Sequence, residues 1–149
     1  MSRPPRVLIT GSRTFTDTAA IRDALAAVWQ QFPGAVLVSG ACGRGADLLA
    51  EQCWSHWGGE VERWEADWRG PCATGCPPGH RRHGQRGASF CPAAGMTRNA
   101  AMVAAGADVC LAFIRDRSRG ATHCATAARR AGIPTTVHRY HADDDGLTL

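Results

Sequence analysis

The order of hydrophobic segments constrains this fold more than any other feature of the sequence. Short apolar runs of strand length alternate with stretches whose apolar residues recur at helical spacing, along nearly the whole chain. This alternation is typical of an α/β fold with a mostly parallel sheet, because a crossover must return the chain to the same end of the sheet before each parallel strand. We therefore expect an α/β domain with a mostly parallel sheet.

Five strands and four helices can be assigned from this pattern. The strands are expected at Arg6–Thr10, Ala35–Ser39, Glu60–Ala66, Val109–Phe113 and Thr135–Tyr140. The helices are expected at Thr18–Phe32, Ala46–Trp57, Gly95–Gly106 and Ala121–Ala131. Asp17 is predicted to be the N-cap of the first helix, because its side chain can accept a hydrogen bond from a free backbone N–H group. The tail at residues 141–149 is expected to fray.

The composition limits the class of protein. An apolar content of 44% can fill one core, so residues 1–149 are expected to form one domain. No run of about 18 apolar residues occurs, and the first apolar run is too short for a secretory signal, which favours a cytoplasmic protein without a membrane partner. The chain contains arginine but no lysine, which excludes Schiff-base chemistry and a lysine-dependent phosphate loop.

Three turns that follow predicted strands combine small residues with arginine. They are GSR at residues 11–13, SGACGRGAD at residues 39–47 and RDRSRGATH at residues 115–123. The carboxyl ends of parallel strands share one edge, where each following helix also presents its positive N-terminal dipole. Arg13, Arg44 and Arg119 add full charges there. Together the turns predict a cup for an anion such as phosphate, although each taken singly could be an ordinary βα turn.

The second turn does not match a P-loop. Gly40 and Gly45 have the spacing of that motif, but Ala46 and Asp47 stand where a lysine and a serine or threonine are required. Gly43 and Gly45 begin a G-x-G pattern that lacks its third glycine. A Walker-type nucleotide hydrolase is therefore not expected.

Four segments in order resemble the YspA (cpYpsA-related) branch of the SLOG superfamily, which includes the LOG phosphoribohydrolases and the DprA DNA-binding proteins. The segments are LITGSRTFTD, LVSGACGRGADLLAE, GMTRNAAMV and RSRGATHCATAARRAGIP, and the resemblance spans residues 6–137. It implies a Rossmann-like three-layer fold that binds a nucleotide or a nucleotide-derived phosphorylated ligand, with no established reaction.

The resemblance also implies ligand-binding residues in these four segments. They are Gly11, Ser12 and Arg13, then Ser39, Gly40, Gly45, Ala46 and Asp47, then Arg98 and Asn99, and finally Ser118, Arg119, Gly120 and Thr122. Gly43 and Arg44 join this set by their position in the second turn. The LOG enzymes carry PGGxGTxxE in the last loop, and this chain lacks the proline and the glutamate. Asp47 is the remaining candidate for a catalytic carboxylate, or else an acid that stabilises a helix N-terminus.

The segment at residues 69–95 interrupts the regular pattern. It shows neither helical nor strand periodicity, and it contains Cys72, Cys76, His80 and Cys91 with the spacing C-x3-C-x3-H-x10-C. Zinc takes four sulfur and nitrogen ligands in a tetrahedron, and a loop of this length needs something to order it. We therefore predict a structural Zn²⁺ in a Cys3His site, with His83 as the rival histidine and free thiols as the other interpretation.

The same insertion joins the third strand to the third helix, so it is expected to form a wall or lid over the cup. Its basic run HRRHGQR, at residues 80–86, could instead contact nucleic acid, although only Phe90 accompanies it as an aromatic. The favoured function is binding or sensing of a phosphorylated nucleoside derivative. A nucleotide N-glycosidase and a DprA-like single-strand binder are the alternatives. Clustered tryptophans, including Trp54 and Trp68, could form a core or a homo-oligomer interface.

Overall fold

Regular secondary structure follows the predicted alternation of strands and helices. A computed structural model of the protein describes residues 3–72, 75–84 and 87–140. The strands are β1 (Arg6–Gly11), β2 (Val36–Ser39), β3 (Glu60–Arg63), β4 (Arg82–His83), β5 (Ser89–Phe90), β6 (Val109–Arg115) and β7 (Thr135–Tyr140). The helices are α1 (Thr18–Gln31), α2 (Ala46–His56), α3 (Ala94–Ala105) and α4 (Arg119–Arg130). The tail predicted to fray, residues 141–149, lies outside the described residues.

Five parallel strands form the main sheet in the order β3-β2-β1-β6-β7. Leu8 of β1 lies opposite Val38 on one side and Cys110 on the other. The chain builds outward from β1 to β3, then crosses back and adds β6 and β7 on the other side of β1. The direction of strand addition therefore reverses between β1 and β6, and a crevice is expected at their carboxyl ends. The predicted α/β fold with a five-stranded parallel sheet is confirmed.

Helices cover both faces of this sheet because its strands are apolar on both sides. Val7 and Ile9 of β1 pack with buried residues of α1 and α2, including Leu25 and Trp54. Leu8, which points to the opposite face, packs with buried residues of α3 and α4 such as Met102, Cys124 and Ala128. The result is the predicted three-layer arrangement.

Two segments differ most from the sequence prediction. The third strand ends at Arg63 rather than Ala66, and the chain then leaves the sheet after the Trp64 N–H group donates to the Ser39 carbonyl at 2.8 Å. The insertion, predicted without strand structure, contains the short antiparallel pair β4 and β5. Each of these strands has only two residues, which is too short to produce a visible alternation in the sequence. Within the described residues, no helix has the length and apolar character needed to cross a membrane.

Candidate functional site

A cavity of about 960 Å³ lies at the carboxyl edge of the sheet, near the ends of β1 and β6, between which the direction of strand addition reverses. Its walls come from the segments that follow β1, β2, β3 and β6, and from the N-terminal halves of α2 and α3. A volume of this size is in the range of small-molecule sites. The three turns that combine small residues with arginine all contribute to it.

Most of the residues assigned to the ligand site line this cavity. They are Gly11, Ser12, Arg13, Gly40, Gly43, Arg44, Asp47, Arg98, Asn99, Ser118 and Gly120. The structure therefore brings together side chains and glycines from all four segments that carry the family resemblance.

The remaining assigned residues, Ser39, Gly45, Ala46, Arg119 and Thr122, do not line the cavity. The buried Ser39 hydroxyl donates to Glu51 at 2.6 Å and accepts from the Ala41 N–H group at 3.0 Å. Ser39 therefore stabilises the backbone of the second turn. Gly45 and Ala46 pack against the first turn, and the Ala46 N–H group donates to the Ser12 carbonyl at 3.1 Å. Arg119 and Thr122 are exposed on α4. In this structure these residues support or flank the walls.

Asp47 is the most unusual side chain in the cavity wall. It lies in the first turn of α2, and it is only 6% exposed. Its Oδ2 atom accepts a hydrogen bond from the Cys42 N–H group at 3.3 Å, whereas Oδ1 is buried and has no hydrogen-bond partner. Burial raises the pKa of this carboxyl group to about 6, against the opposing effects of the Cys42 hydrogen bond and the Arg98 charge. Asp47 therefore carries a buried acceptor that has no protein donor, on a side chain that lines the cavity.

Arg98 is fixed in place by contacts with three parts of the chain. Its guanidinium group donates to the Gly40 carbonyl and, at 3.4 Å, to the Trp64 carbonyl. Its Nε–H group donates to Asn99 Oδ1 at 2.8 Å, while Asn99 Nδ2 donates to the Gly120 carbonyl at 3.3 Å. This network joins α3 to the turn after β2, to Trp64 after β3 and to the start of α4. Arg98 therefore braces the cavity as well as contributing charge to it.

The cavity wall carries more positive than negative side chains. Arg13, Arg44, Arg98 and Arg115 contribute to it, against Asp47 and Glu65. Guanidinium groups form paired hydrogen bonds with phosphate and carboxylate, so the wall favours an anionic guest.

Several lining residues were missed by the sequence analysis, and Trp68 and Glu65 are the clearest cases. Both lie in the segment that follows β3. The rule that placed the other turns at the carboxyl edge applies equally to β3, so that segment could have been included. It was omitted because it lacks the glycine and arginine pattern of the other three turns.

The four predicted metal-ligating side chains of the insertion come together. The ligand atoms of Cys72, Cys76, His80 and Cys91 all lie within 4.8 Å of one another. Cys76 Sγ is 3.9 Å from Cys91 Sγ, and His80 Nε2 is 2.9 Å from Cys72 Sγ and 3.5 Å from Cys91 Sγ. The clustering of these four residues, hereafter the Cys/His cluster, is confirmed. His83 lies exposed in β4 instead.

The environment of the thiols suits a cation. Hydrogen bonds from His80 and then Arg81 lower the pKa of Cys72 to about 7, which favours the thiolate. Partial burial, followed by the neighbouring sulfur of Cys91, raises the pKa of Cys76. Crowded thiols lose their protons with difficulty unless a cation lies among them, so this set of side chains could bind a metal ion.

The Cys/His cluster is connected directly to the cavity wall. The Cys91 N–H group donates to the Trp68 carbonyl at 2.7 Å, and the Trp68 ring makes an edge contact with Phe90 at 6.4 Å between centroids. Pro92 and Gly95, the last part of the insertion, line the cavity together with Arg13 and Asp47. The end of the insertion thus borders the cavity.

The sheet order and the arginine-rich cavity at its point of reversal define a Rossmann-like α/β protein of the class that holds small molecules at that edge. The family model for the YspA, cpYpsA-related SLOG family matches residues 5–70. Gene 61 protein of Mycobacterium phage D29 is 42% identical over 134 residues, which cover 87% of this chain and 92% of that protein. The chain belongs to the YspA, cpYpsA-related SLOG family, as its resemblance predicted. The residues that the family model matches end before the Cys/His cluster.

Proposed function

We propose that the cavity binds a nucleotide-derived phosphorylated small molecule, and that the protein acts as a binding or sensing module for it. The observation that carries this proposal is the unpartnered Oδ1 atom of Asp47 in a cavity wall rich in arginine. A buried polar atom without a partner costs free energy, and a ligand hydroxyl removes that cost by donating to it. A ribose supplies such a hydroxyl, and a phosphate group suits the arginines. Family membership supports the same class of ligand.

The proposal is tested by binding measurements with nucleoside monophosphates. Purified protein is denatured, and nucleotides released from it are identified by mass spectrometry. Calorimetry then gives affinities for the nucleotides found and for the common nucleoside monophosphates. We expect saturable binding, and we expect Asp47→Asn to weaken it by about 10-fold, because a charged acceptor is replaced by a neutral amide oxygen that accepts a weaker hydrogen bond. Asp23→Asn, at an exposed carboxylate of α1, is the control and should bind normally. Absence of saturable binding, or equal affinity of Asp47→Asn, contradicts the proposal.

We also propose that the Cys/His cluster holds a structural Zn²⁺. Zinc–sulfur bonds of about 2.3 Å in a tetrahedron place sulfur atoms about 3.8 Å apart. The separation of 3.9 Å between Cys76 Sγ and Cys91 Sγ agrees with that geometry. Three cysteines and one histidine fill all four positions of the tetrahedron, which leaves none for substrate and favours a structural role.

Metal analysis of purified protein tests this second proposal. We expect about one zinc ion per chain, and we expect Cys76→Ser to lose it. Cys42→Ser is the matched control, since Cys42 lies in the turn after β2 and outside the cluster. Zinc retained in full by Cys76→Ser would show that the assigned ligand set is wrong.

A nucleotide N-glycosidase is the second candidate, and the carboxyl group of Asp47 is the observation that favours it. Its pKa of about 6 lies near neutral pH, where a carboxyl group can act as an acid or a base. Cleavage of an N-glycosidic bond needs a carboxylate near the ribose to stabilise positive charge. Incubation with nucleoside monophosphates should then release free base, with no release by Asp47→Asn. Binding without release by the native protein leaves only the binding module.

A further inference from the structure

We infer that Trp68 is the base-binding residue of the cavity, so that the aromatic base of the ligand lies against its indole ring. The inference rests on the proposed function, since it names the part of the ligand that the site recognises beyond ribose and phosphate. It assigns a specificity role to a segment that carries none of the motifs on which the family resemblance was recognised.

The position of Trp68 is held by the insertion that contains the Cys/His cluster. Its carbonyl accepts the hydrogen bond from Cys91, and its ring meets Phe90 at an interplanar angle of 81°. The same ring lies against the start of α3, where a Cβ atom added to Gly95 would be 3.1 Å from it. One backbone hydrogen bond and two ring contacts, all from one segment, thus hold Trp68 in the wall. A prepositioned ring loses little conformational entropy when a ligand binds.

Trp68 offers an aromatic face of the kind that stacks with flat, conjugated groups. The guanidinium carbon of Arg13 lies over the ring, 5.8 Å from its centroid, which is near the outer limit of a cation–π contact. A base seated on the ring can replace this weak contact, which allows Arg13 to pair with the ligand's phosphate. Stacking of a base on an aromatic side chain contributes about 5- to 150-fold in affinity.

The rest of the cavity wall lacks an equivalent surface. Trp68 is the only aromatic side chain among the described residues that line the cavity. Met96 also lines the cavity and is 42% exposed, which adds an apolar surface. The polar and charged residues, led by Asp47 and Arg13, suit ribose and phosphate. The wall therefore offers an aromatic surface for a base as well as charged groups for ribose and phosphate.

Calorimetry with two kinds of probe tests the inference. The probes are the four common nucleoside 5′-monophosphates and ribose 5-phosphate, which has the sugar and phosphate without the base. The variants are Trp68→Leu, which keeps an apolar side chain without an aromatic face, and Trp68→Phe, which keeps a face. We expect at least one nucleotide to bind the native protein about 10-fold or more tightly than ribose 5-phosphate. Trp68→Leu should remove most of that difference, and Trp68→Phe should keep most of it.

The affinity for ribose 5-phosphate separates stacking from a structural role. We expect Trp68→Leu to bind ribose 5-phosphate as the native protein does. Equal losses for nucleotides and ribose 5-phosphate would mean that Trp68 only shapes the wall, and would overturn the inference. Equal affinity of the native protein for both probes would overturn it while leaving the proposed function intact. Failure of the native protein to bind either probe would overturn both.

Discussion

At the scale of single residues, the site depends on an acid that the fold does not fully satisfy. Asp47 is buried, and only one of its two carboxylate oxygens has a hydrogen-bond partner. Burial destabilises the charged form of this carboxyl group, and the positive charges of Arg98 and Arg13 compensate for that effect only in part. A protein that keeps such a group reduces its own stability, and a ligand that donates to the free oxygen recovers the loss.

The pH dependence of stability should reveal this cost. The pKa of Asp47 is raised from 3.8 to about 6 in the folded state, so the folded form holds its proton more tightly than the unfolded chain. The free energy of unfolding should therefore fall as pH rises from about 4 to 6, by up to about 3 kcal/mol, and stay lower above that range. Asp47→Asn has no carboxyl group at this position, so its free energy of unfolding should not show this fall. Urea unfolding without ligand should show the variant more stable than the native protein at pH 7.5, with a smaller difference at pH 4.

The control for this measurement is Asp23→Asn, which removes an exposed carboxylate of α1. Its difference from the native protein should not change with pH over the same range by more than a few tenths of a kcal/mol, as is usual for surface substitutions. If the difference between Asp47→Asn and the native protein is the same at pH 4 and pH 7.5, the raised pKa does not contribute to stability.

At the scale of structural elements, the turn between β2 and α2 forms one part of the cavity wall. This turn packs directly on the turn after β1, and Gly45 is the point of contact. Its φ angle of +74° lies in the left-handed region that favours glycine. A Cβ atom at this position would overlap the Ser12 carbonyl oxygen and the Arg13 backbone. Close approach of the two turns therefore depends on the absence of a side chain here.

Substitution of this glycine should disturb both the fold and the site. Gly45→Ala combines an unfavourable φ angle with backbone overlap, and we expect it to lower the free energy of unfolding by about 2–4 kcal/mol. Gly43→Ala is the matched control in the same turn, since a Cβ atom there meets nothing within 4 Å. Urea unfolding at pH 7 measures both. A Gly45→Ala variant as stable as Gly43→Ala would show that the turns can separate without cost.

Elements of the sheet and helices could be predicted because their signals are local. Asp17 accepts a hydrogen bond from the Ala20 N–H group at 3.0 Å, as the capping pattern indicated. The end of β3 was predicted three residues too late, because apolar and polar residues still alternate from Trp64 to Ala66, where the chain has left the sheet. The Cys/His cluster was also predictable, since spacing alone restricts which side chains can meet.

Contacts that depend on distant parts of the chain could not be predicted in the same way. The position of Trp68 follows from its bond to Cys91 and its packing on Phe90 and Gly95, and no local pattern encodes them. The same is true of Arg98, whose sequence position gave no sign that it would reach the Gly40 carbonyl. Local patterns thus define the framework of the site, whereas its aromatic wall becomes visible only in the folded chain.

At the scale of the whole molecule, the insertion and the main sheet are stabilised by different means. Three clusters of buried apolar residues form the core, and none of the described residues between positions 69 and 93 belongs to them. The insertion is held instead by the Cys/His cluster, by the β4–β5 pair and by Arg81, which donates to the Gly70 carbonyl at 2.9 Å. If the proposed zinc is bound, its removal should loosen the insertion and leave the sheet folded.

Limited proteolysis with trypsin can test this separation, because the insertion contains its own cleavage sites. Arg82 is exposed in β4, and trypsin cuts after arginine once a segment can adopt an extended form in the protease. We expect native protein to resist cleavage there, and we expect Cys76→Ser or chelated protein to be cut at least about 10-fold faster with little change in far-UV circular dichroism. Cys42→Ser should behave as the native protein does. Equal cleavage rates in Cys76→Ser and Cys42→Ser would show that the Cys/His cluster does not order the insertion. Loss of the circular dichroism signal in Cys76→Ser would show that the main sheet also depends on the Cys/His cluster.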